Sequence, residues 1–267
     1  MRKWISALAV TLCATSLVYA QTTAPVPAKP PSPAPAKPAK PDPSLPTART
    51  IIDKYVQAIG GRPAILAHSS SHMTGTFSVA SAGISGNVEI FNAKPAKTLA
   101  KTNIGGIGEV LEGFDGTHGW GISPMTGPSV AEGTELDQKR FDPDFYNDVH
   151  DPARYTSMTT VEKTVFEGRP AYKLSLVKKI GGEDLEYFDV ETGYKIGTTG
   201  SREGPMGSMN VTVSLSDYKK FADVMVPTTI KQSVSGVANV ITITSIEFDN
   251  VPPATFEVPD RIKALIK

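Results

Sequence analysis

The sequence predicts a mainly β protein of the α+β class, an antiparallel sheet preceded by one helix. Three observations carry this. Apolar and polar residues alternate with a period of two through most of the chain after residue 70. Turn residues punctuate those runs at hairpin spacing, beginning with Asp115-Gly116 between Glu109–Glu112 and the run carrying Trp120. A single clear 3.6-residue periodicity precedes them, from Thr47 to Ile59.

The first residues concern compartment. Arg2 and Lys3 precede an apolar run from Trp4 to Leu17, and Val18-Tyr19-Ala20 has the small-x-Ala form of a signal-peptidase site, so residues 1–20 read as a signal peptide and the protein as periplasmic. The rival is an uncleaved inner-membrane anchor facing the periplasm, since the run approaches the length that spans a bilayer. Its Ser and Thr content argues for cleavage. Cys13 is the sole cysteine, so the exported chain has no disulfide and no thiolate ligand. Removing Arg2 and Lys3 from 27 basic residues leaves 25 against 27 acidic ones, a net charge of −2. Nothing in that balance attracts nucleic acid.

Residues 21–46 are almost wholly Pro, Ala, Lys and Ser, too poor in apolar bulk to order, and read as a disordered linker. Extended, it reaches about 80 Å at ~3.1 Å per residue. The domain then occupies residues 47–267. Ile51, Ile52, Tyr55, Val56 and Ile59 share one helical face, Thr47 or Thr50 caps the start and Gly60-Gly61 ends it. Pro63 opens a second short helical turn.

The strands follow. Met73, Gly75, Phe77 and Val79 alternate with polar residues, as do Ile84, Gly86, Val88 and Ile90. Glu167-Gly168 and Glu191-Thr192-Gly193 mark two hairpins. Met209, Val211, Val213 and Leu215 form the cleanest alternation, and Val240–Thr244 adds a late strand. Residues 129–154 break the pattern and predict one or two short helices which, with the first helix, cover the sheet's apolar face.

Several of these features resemble the periplasmic LolA/LolB-like (outer membrane lipoprotein-sorting protein-like) family. They are the helix ending in Gly60-Gly61, the Phe114-Asp115-Gly116 hairpin leading to Trp120, the insert, Phe188-Asp189-Val190-Glu191-Thr192-Gly193, Met225-Val226-Pro227 and Phe256-Glu257-Val258-Pro259. The resemblance covers residues 47–260. It implies a strongly curved antiparallel sheet, an incomplete barrel covered by the N-terminal helix and the short helical insert, enclosing an apolar cavity. Members carry lipid-modified proteins or related hydrophobic ligands between membranes. The strand glycines Gly75, Gly86, Gly108 and Gly113 fit either a bent sheet around a pocket or bulges around a filled core.

Chemistry is sparsely signalled. His68 and His72 have helical metal-site spacing, but Ser69-Ser70-Ser71 between them reads as loop or strand, and there is no glutamate in an HExxH frame. Asp142, Asp144, Asp148 and Asp151 cluster with His150, yet depart from calcium-loop spacing and read as a capped, solvated loop. No nucleophile elbow, P-loop or dinucleotide fingerprint occurs. No catalytic residue, metal or cofactor is therefore expected. The predicted function is non-catalytic binding or carriage of a lipid or acyl chain, with Phe77, Trp120, Leu176, Tyr187 and Val211 as cavity candidates. The alternatives are a module docking other envelope proteins, and a hydrolase.

Overall fold

The computed structural model describes residues 44–204, 207–234 and 236–266. The expected signal peptide and nearly all of the expected linker lie outside these. Among the described residues, helix α1 (Ala48–Ala58) starts at Thr47, whose hydroxyl accepts from the Thr50 amide at 3.2 Å, and α2 (Gly61–Ala67) follows through Gly60 and Gly61, both at positive φ. Both fall where the sequence places them.

Thirteen strands then form one antiparallel sheet. They are β1 (Ser70–Val79), β2 (Ile84–Ala93), β3 (Lys97–Ile104), β4 (Gly108–Phe114), β5 (Gly119–Ser123) and β6 (Gly127–Val130), then β7 (Tyr155–Phe166), β8 (Arg169–Lys178) and β9 (Glu183–Asp189), and finally β10 (Lys195–Gly204), β11 (Gly207–Phe221), β12 (Val224–Val234) and β13 (Val237–Phe248). Their order is β6-β5-β4-β3-β2-β1-β13-β12-β11-β10-β9-β8-β7, so two hairpin meanders join through the pairing of β1 with β13. Strands β6 and β7, adjacent in sequence, are the two outer edges. The segment between them carries α3 (Gly133–Phe141) and 3-10 turns at Asn147–Val149 and Pro152–Arg154, as the broken strand pattern predicts. A short helix α4 (Asp260–Lys263) lies near the end.

The sheet is open and strongly curved. Met73, Phe77, Val88, Ile90, Val213 and Ile241 belong to one buried cluster drawn from β1–β3 and β11–β13, with no helical residue in it. Side chains on one face of a sheet bury each other without a helical cover only when the sheet curls over itself. Two glycines permit the sharpest approach: a Cβ on Gly75 would lie 2.2 Å from the Thr242 carbonyl oxygen, and one on Gly86 1.8 Å from that of Asn103. The register shifts at Thr74/Gly75, against β13. The rest of the inner face is filled by α1, whose Ile51, Ile52, Tyr55 and Val56 pack with Leu174, Leu176 and Phe188.

The turns refine the expectation. Glu167 (φ 47°) and Gly168 (φ 78°) form the two-residue connection with the primed-turn geometry that suits twisted strands. Asp115-Gly116 does not. Phe114 pairs with Gly119, leaving a four-residue loop in which only Gly116 has positive φ, and Asp115 Oδ1 accepts from the amides of Thr117 (2.7 Å) and His118 (2.6 Å). The Asp side chain replaces the tight turn with an Asx turn.

Candidate functional site

Because β6 and β7 are opposite edges, the segment joining them has to cross the open side of the curled sheet. Helix α3 does so: it contacts β5 on one side and β10 on the other. Its Gln138 is buried and latches it to the far side. Gln138 Nε2 donates to the carbonyls of Ser201 (3.0 Å) and Gly181 (3.3 Å), and its Oε1 accepts from the Glu203 amide at 2.9 Å. On the near side Lys139 Nζ lies 3.8 Å from Glu112 Oε2 of β4.

Where α3 ends, charges follow it inward. Asp142 faces Lys178 Nζ (3.3 Å) and Arg202 Nε (3.2 Å), while Asp184 of β9 accepts from Arg202 (2.7 and 3.0 Å) and Lys178 (3.0 Å). Burial pushes the Asp184 carboxyl up, but Arg202 and Lys178 outweigh it and hold it below the usual carboxylate range. A second network lies beneath α1. Asp148 accepts from the Tyr55 hydroxyl at 2.8 Å and from Lys195 Nζ at 3.3 Å; Glu186 lies 3.5 Å from Lys195 and 2.8 Å from His150 Nε2. Burial raises the Glu186 carboxyl, and Lys195 with His150 more than reverse it; Lys195 is itself held above its usual value by Glu186 and Asp148 against the pull of burial.

This corrects one expectation. The acidic stretch 142–151 is not a solvated loop, because Asp148 and His150 are wholly buried. Their partners, Glu186 and Lys195, lie 36 to 47 residues away on β9 and β10, beyond the reach of local pattern reading. The one available signal was parity: Asp184 and Glu186 share the inward phase of Phe188, and cations stand on the adjoining strands. Asp151 does cap its turn, accepting from the Ala153 amide at 2.9 Å.

A cleft of about 780 Å³ opens beside α3, between the β2–β3 hairpin, the 141–146 stretch and the β8–β9 hairpin. Pro95, Ala96, Phe141, Tyr146 and Ile180 give it an apolar lining. Ile180 is among the exposed large apolar side chains of the described residues. Deeper in the curl, Asn239 Nδ2 donates to Gln232 Oε1 at 3.2 Å, leaving Gln232 Nε2 and Asn239 Oδ1 buried without partners amid apolar neighbours.

The five candidate residues divide by face. Phe77 and Val211 share the helix-free inner cluster, and Leu176 is inward beneath α1. Trp120 lies on the opposite face, in a cross-strand row with Leu99 and Gly113, covered by Phe256 and Ile262 of the C-terminal segment. Tyr187 also faces outward, stacked on Phe166 at 4.2 Å. None of the five lines the cleft.

Among the described residues no group of three or more His, Cys, Asp or Glu side chains is placed to hold a metal ion. His68 is tied to Asp249 (2.7 Å) and Asp223 (2.8 Å), and His72 stacks on Phe91. No helix among the described residues is long and apolar enough to cross a membrane.

An open antiparallel sheet curled around its own apolar face, with one helix inside and a segment drawn across the mouth, defines the half-barrel class. Solved structures of similar fold include a LolA superfamily protein and a DUF1329 family protein. A LolA superfamily protein from Nitrosomonas europaea superimposes with a TM-score of 0.52 at 12% identity, covering 80% of this chain and 99% of that one. A DUF1329 family protein from Desulfovibrio piger gives 0.52 at 13% identity, over 79% and 97%. No family model matches the sequence. No curated protein matches it either.

Proposed function

We propose that this protein binds and carries a hydrophobic ligand bearing an acyl chain, without chemistry, in the periplasm after removal of residues 1–20. The observation that carries this reading is the opening beside α3. An apolar cleft large enough for part of a lipid lies where the segment carrying α3 crosses the mouth of a half-barrel whose inner face is apolar. Phe77, Leu176 and Val211 would form the deeper wall, reached when α3 lifts from β10. Trp120 and Tyr187, on the outer face, would act through sheet rigidity. The unpartnered Gln232 Nε2 and Asn239 Oδ1 atoms give that wall one polar point at which a ligand's ester or amide would be oriented. The driving force would be apolar burial at roughly 25 cal/mol per Å², less the cost of association.

The test is native mass spectrometry of protein purified from the cell envelope, with organic extraction of what it carries. A mass beginning at Gln21 plus a co-purifying lipid is expected. A protein that stays ligand-free, and takes up no fatty acid or phospholipid when challenged, refutes carriage and favours a module that docks envelope proteins.

A further inference from the structure

The charge around the cleft is unbalanced. Lys94, Arg140, Arg154 and Lys179 border it against a single carboxylate, Asp144. That carboxylate is already engaged, at 2.6 Å from Arg154. Arg154 also donates to Asn147 Oδ1 at 2.8 Å and to the Phe141 carbonyl, and lies over the Phe141 ring at 3.9 Å. Arg140 has only a loose 3.6 Å contact with Asp137 on the exposed side of α3. No hydrogen bond or ion pair engages the Lys94 or Lys179 ammonium groups among the described residues. Two lysines, from the β2–β3 and β8–β9 hairpins, thus border one opening with no carboxylate engaging them, beside an Arg140 that is only loosely held.

Packing gives no reason for this arrangement, because like charges around a shared apolar opening repel. An amphiphile with an anionic head supplies the missing charge. Its chain would lie on Phe141, Tyr146 and Ile180, and its head oxygens would accept from the lysines and Arg140, the side chains suited to phosphate oxyanions. We propose that the cleft selects amphiphiles whose head group is a phosphate ester. This rests on the carrier reading and narrows its ligand class.

Isothermal titration of the exported chain tests it with four probes: dihexanoyl phosphatidic acid below its micelle concentration, dihexanoylglycerol, inorganic phosphate, and vesicles of long-chain phosphatidic acid. The phosphatidic acid is expected to bind about tenfold or more tighter than the diacylglycerol at low salt, with the preference shrinking at 0.5 M salt. The double variant Lys94→Gln/Lys179→Gln should lose the preference while keeping diacylglycerol affinity within about twofold. Both lysines are exposed, so an unchanged thermal midpoint is the folding control. Equal binding of the two lipids overturns the head-group assignment and leaves carriage standing. Inorganic phosphate binding as tightly as the lipid overturns it in favour of a free-anion site. Association with intact phosphatidic acid vesicles, without uptake of the monomeric lipid, overturns it in favour of a membrane contact. If neither lipid binds, the carrier reading falls as well.

Discussion

Lys195→Met should destabilise the domain severely and in a pH-dependent way. Lys195 is 2% exposed and stands between two buried carboxylates, 3.3 Å from Asp148 and 3.5 Å from Glu186. Met keeps most of the volume but removes the charge, leaving Asp148 with the Tyr55 hydroxyl and Glu186 with His150. At an effective dielectric near 20 each lost contact is worth about 5 kcal/mol before the desolvation of the lysine is credited back. Breaking one partner of a buried pair typically costs about 3–5 kcal/mol, and we expect that range. The pH dependence follows from Glu186. In the parent its folded pKa is depressed, so its contribution is complete above the unfolded value near ~4.3 and is lost as pH falls through the lower folded one. In the variant the largest depressing charge is gone and His150 alone opposes burial, so the folded Glu186 carboxyl takes up its proton at a higher pH than in the parent. The variant therefore loses less stability than the parent as pH falls, and the gap between them narrows from about pH 7 toward and below about pH 4. Urea unfolding of both proteins across that range, with the slope m compared, is the assay. A loss under about 1 kcal/mol, or a gap independent of pH, refutes the reading of Lys195 as the charge that joins α1, the 142–151 stretch and the sheet.

Two further outcomes test the parts around it. Gln138→Ala removes three hydrogen bonds between α3 and the β8–β9 and β10 backbone, and should cost about 1–3 kcal/mol locally. Hydrogen exchange should accelerate in residues 133–141 and leave β1 and β13 unchanged; equal acceleration in both would mean that α3 does not open separately. Gly113→Leu should disturb the outer face, because even a Cβ there would lie 2.4 Å from the Trp120 ring. Overpacking of this kind costs about 1–3 kcal/mol or more, and a red-shifted Trp120 emission would report it; unchanged emission and stability would show that the ring has room to move.

Much of the architecture was legible because period-two alternation is local. Met73 to Val79, Ile84 to Ile90 and Met209 to Leu215 each declared their inward face within a few residues, and the structure buries those faces. The N-terminal helix was equally plain from Ile51, Ile52, Tyr55 and Val56. The site was not legible, since it is made by pairs distant in sequence. His150 meets Glu186, Asp148 meets Lys195 and Asp142 meets Arg202 only because β6 and β7 are opposite edges. Aromatic residues misled for a related reason. Trp120 and Tyr187 are strand aromatics with every local mark of core, but the outer face has its own covering: Phe256 and Ile262 over Trp120, and Phe166 against Tyr187.

The same topology argues that binding and stability are separable here. The helix-free cluster of β1–β3 and β11–β13 holds together through long strand pairings, and α1 is anchored by Lys54 to the β9–β10 turn and by Tyr55 to Asp148. Helix α3 has a smaller share of the core: Gln138 and Phe141 are its only buried residues, and its hold on β10 is polar. Hydrogen bonds exchanged with water contribute about 1 kcal/mol each, far less than the burial that fixes α1. An element attached this way opens at a smaller cost than global unfolding. The chain thus places a helix held less strongly than α1 across the mouth, beside the cleft.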